Sequence, residues 1–133
     1  VVHRIVVVLV LVSALACSGS SPTAPVPPSR QQFVLGPGQS AAVQGTTLAL
    51  RFDAVVGDSR CPADALCVLG GDAIVKVSVV TATSAQAYEL RTGAMQPFTY
   101  ADLTVSLVQL EPYPFSARPI EPSDYRATLL VTR

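Results

Sequence analysis

An antiparallel β-sandwich is the fold this sequence predicts, and three observations predict it. Apolar residues recur at every second position in four separate stretches, glycines and prolines interrupt those stretches at short intervals, and nowhere is the 3.6-residue apolar spacing of an amphipathic helix sustained. The folded domain is expected over residues 33–133, behind a leader and a linker that each have a distinct composition.

The first 16 residues place a short basic start, His3 and Arg4, before an unbroken apolar run from Ile5 to Val12 and then small residues, as in a signal peptide. The 12 residues from Ile5 to Ala16 fall short of the roughly 20 that a membrane-spanning helix needs, so cleavage is expected rather than a permanent span. Residues 13–17, Ser-Ala-Leu-Ala-Cys, resemble a bacterial lipobox, which implies acylation of Cys17; the usual Leu three places before the Cys is Ala14 here. Residues 17–32 contain four Pro and almost no large apolar side chains, so they read as a lipid-anchored tether, with Pro25, Pro27 and Pro28 favouring extended backbone.

Within the domain, Leu48, Leu50 and Phe52 alternate with Arg51 and Asp53 over 47–53, as on a half-buried strand. The pattern recurs at Ala73, Val75, Val77 and Val79, at Leu103, Val105 and Leu107, and at Tyr125, Ala127, Leu129 and Val131. Shorter strands are expected at 32–35, 40–43 and 87–92, which makes about seven in an immunoglobulin-like sandwich, with a small β-barrel as the alternative. Apolar character passes from Leu107 to Val108 and Leu110, which predicts a bulge there. Residues 111–124 carry four Pro and no alternation and read as a loop, with Tyr113 and Phe115 as lids over the end of the core or as an exposed contact surface, the lid being preferred.

Cys61 and Cys67 form an even pair in an exported chain and are expected to be disulfide-bonded, a small ring worth roughly 2 kcal/mol of loop entropy. Around them lies the densest local chemistry, and Asp58, Ser59, Arg60 and Asp64 are the candidate binding residues. Aspartate and serine cap turns, and the Arg60 guanidinium offers five donors in a rigid fork. Such a loop can bind an anion, or it can be self-contained, with Arg60 paired to Asp58, Asp64 or Asp72.

The run from Asp58 to Val79 resembles a motif of small uncharacterised bacterial lipoproteins and secreted domains, DSRCP-x(3-4)-C-V-W-x-G followed by an alternating strand. Asp58, Ser59, Arg60, Cys61, Pro62, Cys67, Val68 and Gly71 match it, and Leu69 stands where the motif commonly has Trp. The resemblance implies export and a shared domain over 33–133, and no activity. By the same kind of resemblance, Ser18 after the acylated Cys, rather than Asp, implies the outer membrane.

Composition narrows the function. Nine basic groups balance nine acidic ones with no Lys/Arg cluster, so nucleic acid is not an expected partner. Removal of His3 with the leader leaves no histidine, so neither a Ser-His-Asp nor a Cys-His arrangement can form, and zinc and copper lose their usual nitrogen ligands. Asp53, Asp58, Asp64 and Asp72 have the oxygens a calcium ion prefers but not the spacing of a calcium loop, and they read as turn caps and arginine partners. No metal, cofactor or catalysis is expected. The expectation is a non-catalytic envelope lipoprotein that presents a disulfide-fixed loop to an envelope protein or polymer. The alternative is an extracytoplasmic inhibitor or small-ligand sensor, and a hydrolase using Asp58 with a neighbouring acid stands third.

Overall fold

The computed structural model of the chain describes residues 29–94 and 96–133. The expected signal peptide (1–16), the acylated Cys17 and the tether as far as residue 28 lie outside the described residues. Eight strands follow in order: β1 (Arg30–Leu35), β2 (Ser40–Ala42), β3 (Ala49–Asp58), β4 (Ala73–Val80), β5 (Ala85–Arg91), β6 (Phe98–Tyr100), β7 (Leu103–Glu111) and β8 (Arg126–Thr132). A single 3-10 turn, Pro122–Asp124, precedes β8. No helix among the described residues is long and apolar enough to cross a membrane.

The strands form two four-stranded antiparallel sheets, β1-β8-β7-β6 and β2-β3-β4-β5, packed as a sandwich. Neighbours in each sheet are consecutive in sequence except where β1 joins β8, so the path is a meander that rises and falls around the core. This is simpler than the crossed connections of immunoglobulin domains. Ring closure into a barrel stops at two seams, β1/β2 and β5/β6, where no ladder forms. Side chains bridge both. The Gln31 amide donates to the Gln44 carbonyl at 3.1 Å and accepts from the Gln44 N–H at 2.8 Å, taking the place of a backbone pair. At the other seam the rings of Tyr88 and Phe98 stack in parallel, with centroids 4.0 Å apart.

The period-two pattern fills the interior as expected. Leu50, Phe52, Val75, Val77, Val79, Leu103, Val105, Leu107, Tyr125, Ala127, Leu129 and Val131 are all buried. The bulge also falls where the face switches: Leu107 pairs with Leu129 and Gln109 with Thr128, so Val108 is the extra residue. It turns outward, and Leu110 regains the core.

Four expectations need correction. β1 begins at Arg30 rather than at residue 32, because Arg30 and Gln31 pair with Thr132 and Val131; a polar edge strand and a polar linker have the same composition. β3 runs on to Asp58, because bulges at Asp53 and Val56 break the alternation without ending the ladder. β6 was not expected, since three residues are too few to show a period. Tyr113 and Phe115 are about half exposed and are not lids over the core.

Phe52 is completely buried between the sheets, whereas Val108 is nearly half exposed on its bulge. Phe52→Ala is expected to cost about 3–5 kcal/mol and Val108→Ala less than about 0.5 kcal/mol, both read from urea denaturation midpoints at constant slope.

Candidate functional site

The loop from β3 to β4 stands at one end of the sandwich. Arg30 lies opposite Thr132, which lies opposite Thr104, while the loop sits by Leu110 and Tyr125, the far ends of β7 and β8. Six residues of β7 separate these levels, about 20 Å at the usual rise per residue. The described chain therefore enters at one end and the disulfide loop crowns the other.

At the base of the loop Arg60 turns inward. Its guanidinium Nε donates to Asp58 Oδ1 at 2.9 Å and Nη2 donates to Asp58 Oδ2 at 2.7 Å, a two-pronged ion pair. Nη1 donates to the Leu110 carbonyl at 2.9 Å and Nη2 to the Pro112 carbonyl at 3.0 Å. The Tyr125 hydroxyl donates to Asp58 Oδ2 at 3.0 Å, and the guanidinium carbon lies 5.4 Å from the centre of the Tyr113 ring. The ion pair thus ties the end of β3 in one sheet to the end of β7, through Arg60, and to Tyr125 just before β8, through Asp58.

Burial alone would raise the Asp58 pKa, but the hydrogen bonds from the Arg60 side chain and backbone and from Tyr125 outweigh it, and the carboxyl sits below its usual 3.8. The hydrogen bonds that Arg60 donates to Asp58 push the Arg60 pKa further up, and burial followed by the bond to Asp58 raises that of the Tyr125 phenol.

Above this base, the neck is closed by Ser59, whose N–H and hydroxyl both donate to the Asp72 carbonyl at 2.9 Å. Gly71 is fixed by that closure, because a Cβ there would lie 2.2 Å from Ser59 Oγ and 2.3 Å from its carbonyl oxygen. The Cys61–Cys67 disulfide forms the next tie, with Cα atoms 5.9 Å apart. The near side of the ring is docked on the 112–118 segment: the Ala63 N–H donates to the Pro114 carbonyl at 2.9 Å, and Asp64 Oδ1 accepts from the Ser116 N–H at 2.8 Å. That bond holds the Asp64 pKa below its ordinary value.

Beyond these ties the apolar side chains of the loop are left in water. Leu66, Val68 and Leu69 are 104%, 100% and 89% exposed, on a stretch with no charge between Asp64 and Asp72. Leu69, at the motif's tryptophan position, therefore does not cover the core.

Of the four expected binding residues, Asp58, Ser59 and Arg60 come together but serve the base and neck of the loop, and Asp64 stands apart on its docked flank. The Arg60 side chain is only 6% exposed and its charge is met by Asp58, so it is not presented to an anion. The other acids have separate partners: Asp53 with Arg51 and Ser78, Asp72 with Arg91. Among the described residues no three of His, Cys, Asp and Glu gather where a metal could be held. The cleft beside Arg60, lined by Thr92, Leu107, Val108, Gln109, Leu110 and Tyr113, is about 190 Å3, below the usual range for a small-molecule site. Sequence reasoning missed the exposed Leu66, Val68 and Leu69, since isolated apolar residues beside a cysteine do not reveal which way they point. It also missed the Leu110 and Pro112 carbonyls and the Tyr125 hydroxyl, which are partners brought in by the fold.

Two outcomes are expected at the base. Arg60→Ala leaves Asp58 and two carbonyls without their donor and is expected to cost about 3–5 kcal/mol, measured by denaturation; Arg60→Lys recovers little, because an ammonium cannot reproduce the fork. Because the Asp58 pKa is depressed on folding, its contribution is present above the ordinary 3.8 and is lost as pH falls through the lower folded value. Asp58→Asn, less stable at neutral pH, should show a smaller fall in thermal midpoint between pH 5 and pH 2 than wild type.

Comparison with protein-family models, with curated proteins and with solved structures finds no match to this chain, so the reading of the loop rests on its own chemistry.

Proposed function

We propose that this protein is a non-catalytic binding module of the bacterial cell envelope, lipid-anchored through Cys17 in the outer membrane, that presents its disulfide loop to another protein. The observation that carries this reading is the rigid display of three apolar side chains. Leu66, Val68 and Leu69 gain nothing for the fold where they stand, yet the segment that bears them is held by a disulfide and by hydrogen bonds at its neck and flank. Exposed apolar clusters of this kind mark contact surfaces, and prior rigidity lowers the ordering cost of binding.

The anchor reading draws on the lipobox-like sequence at Cys17 and on the Cys61–Cys67 disulfide, which fits an oxidising, exported compartment. The described chain enters the sandwich at the end opposite the loop, so a tether leading back to Cys17 would join the domain away from the proposed contact surface.

A photo-crosslinking amino acid at position 69, in the full chain made in its own cells, is expected to give a discrete protein adduct. The same group at Val34, also exposed but at the β1 edge, should give none. Equal, diffuse labelling from both positions would overturn the reading.

A further inference from the structure

The occupant of the loop tip follows from its shape and charge. A second copy of the chain does not fit. Two convex tips touch only at their apices, far short of the roughly 1,000 Å2 that a stable interface buries. A bilayer fits poorly as well: the tip has no Lys, Arg, Trp or Tyr to hold it at the headgroups, and residues 58–72 and 111–126 with Arg91 carry six acidic groups against four basic ones, which an anionic leaflet repels. A rigid, uncharged protrusion is matched by a concave apolar pocket in a folded protein.

The ring limits the choice further. Leu66, the most exposed of the three, immediately precedes Cys67, so the Leu66–Cys67 peptide bond lies inside the loop closed by the disulfide. On one side of that bond the chain is pinned by Ala63 to Pro114 and by Asp64 to Ser116; on the other it is pinned by Cys67 to Cys61. We infer that the loop offers Leu66 to the primary specificity pocket of an endopeptidase selective for large apolar side chains, and that the domain acts as its substrate-like inhibitor. The inference rests on the binding-module reading and names its partner class.

The ties explain why such an enzyme would be held rather than fed. Hydrolysis of the Leu66–Cys67 bond adds one water, leaving a carboxylate on Leu66 and an amine on Cys67. Hydrolysis opens the ring, but neither new end departs, because the disulfide still joins Cys67 to Cys61 and both segments continue into the same sandwich. The amine remains beside the acyl carbon, where its return competes with release.

The test is inhibition of α-chymotrypsin and subtilisin by the full, oxidised chain in detergent, with trypsin as the enzyme that requires a basic residue. Inhibition constants at or below about 1 μM are expected for at least one of the first two, with weakening of about 100-fold or more in Leu66→Asp. Leu66→Lys should transfer inhibition to trypsin, a change of specificity that a purely structural role for the loop would not produce. Unchanged thermal midpoints would show that both variants fold, as full exposure of Leu66 requires. Absence of inhibition at about 100 μM, steady turnover of the loop as an ordinary substrate, or inhibition indifferent to Leu66→Lys would each overturn the inference. A discrete adduct from position 69 alongside any of those results leaves the binding module standing without this partner; loss of the adduct as well removes both.

Discussion

The ion pair between Arg60 and Asp58 is the constraint on which this end of the molecule depends. Ladders hold each sheet together but run within sheets, and between the two sheets the contact is mostly non-directional packing of Val, Leu and Phe. The guanidinium adds direction. Through it the last residue of β3 is held against the Leu110 and Pro112 carbonyls at the end of β7, while Asp58 itself accepts from Tyr125 just before β8. Taking both charges out of water is costly, and a buried pair is stabilising only when its geometry is good and its other donors are met. Here four of the five N–H donors have oxygen partners and the Tyr113 ring lies against the guanidinium. What the pair contributes most clearly is a unique arrangement of the chain ends around it.

From that base the loop is built in tiers, each using a different interaction. Charge holds the bottom, the doubly bonded Asp72 carbonyl holds the neck, and a covalent bond holds the ring. The Ser59 contact leaves no space for a side chain at position 71, so the close approach is written into the sequence as a glycine. The flank then leans on the 112–118 segment, the proline-rich stretch that cannot join a ladder and is therefore free to follow the loop. The Cys67 sulfur is the last of these fastenings, and the side chains of Leu66, Val68 and Leu69 on either side of it are left in water.

Much of the fold was legible in the sequence because burial in a sandwich has the same period as the strand itself. Tyr125 to Val131 alternate throughout and Ala73 to Val79 do so apart from the buried Ser78, and both lie paired on two sides at the middle of their sheets. What was not legible breaks that period or lacks it. Asp53 and Val56 bulge out of β3 and hide its continuation, β6 is too short, and Arg30 and Gln31 have the composition of a linker while pairing with β8. At the loop, the pairing of Arg60 with Asp58 and the disulfide were both within reach of local reasoning, since their partners are two and six residues apart. The Leu110 carbonyl lies 50 residues from Arg60 and the Tyr125 hydroxyl 67 from Asp58, and only the completed fold brings them in.

The loop inverts the usual distribution of side chains: its arginine is buried and its leucines are in water. An exposed leucine taken singly is ordinary, and a buried arginine with a carboxylate beside it is not rare. Their occurrence within ten residues is harder to attribute to the fold. A loop that only closed the end of a sandwich would do so with polar residues at its tip, since each large apolar side chain left in water forgoes about 1.5–3 kcal/mol of possible burial. Nor would it require a disulfide, a double hydrogen bond and a buried ion pair to hold a tip that touches nothing. The arrangement becomes economical once the tip is buried elsewhere. The rigid base then supplies in advance the ordering that association would otherwise demand, and the three side chains recover against a partner the burial they lack in the free protein.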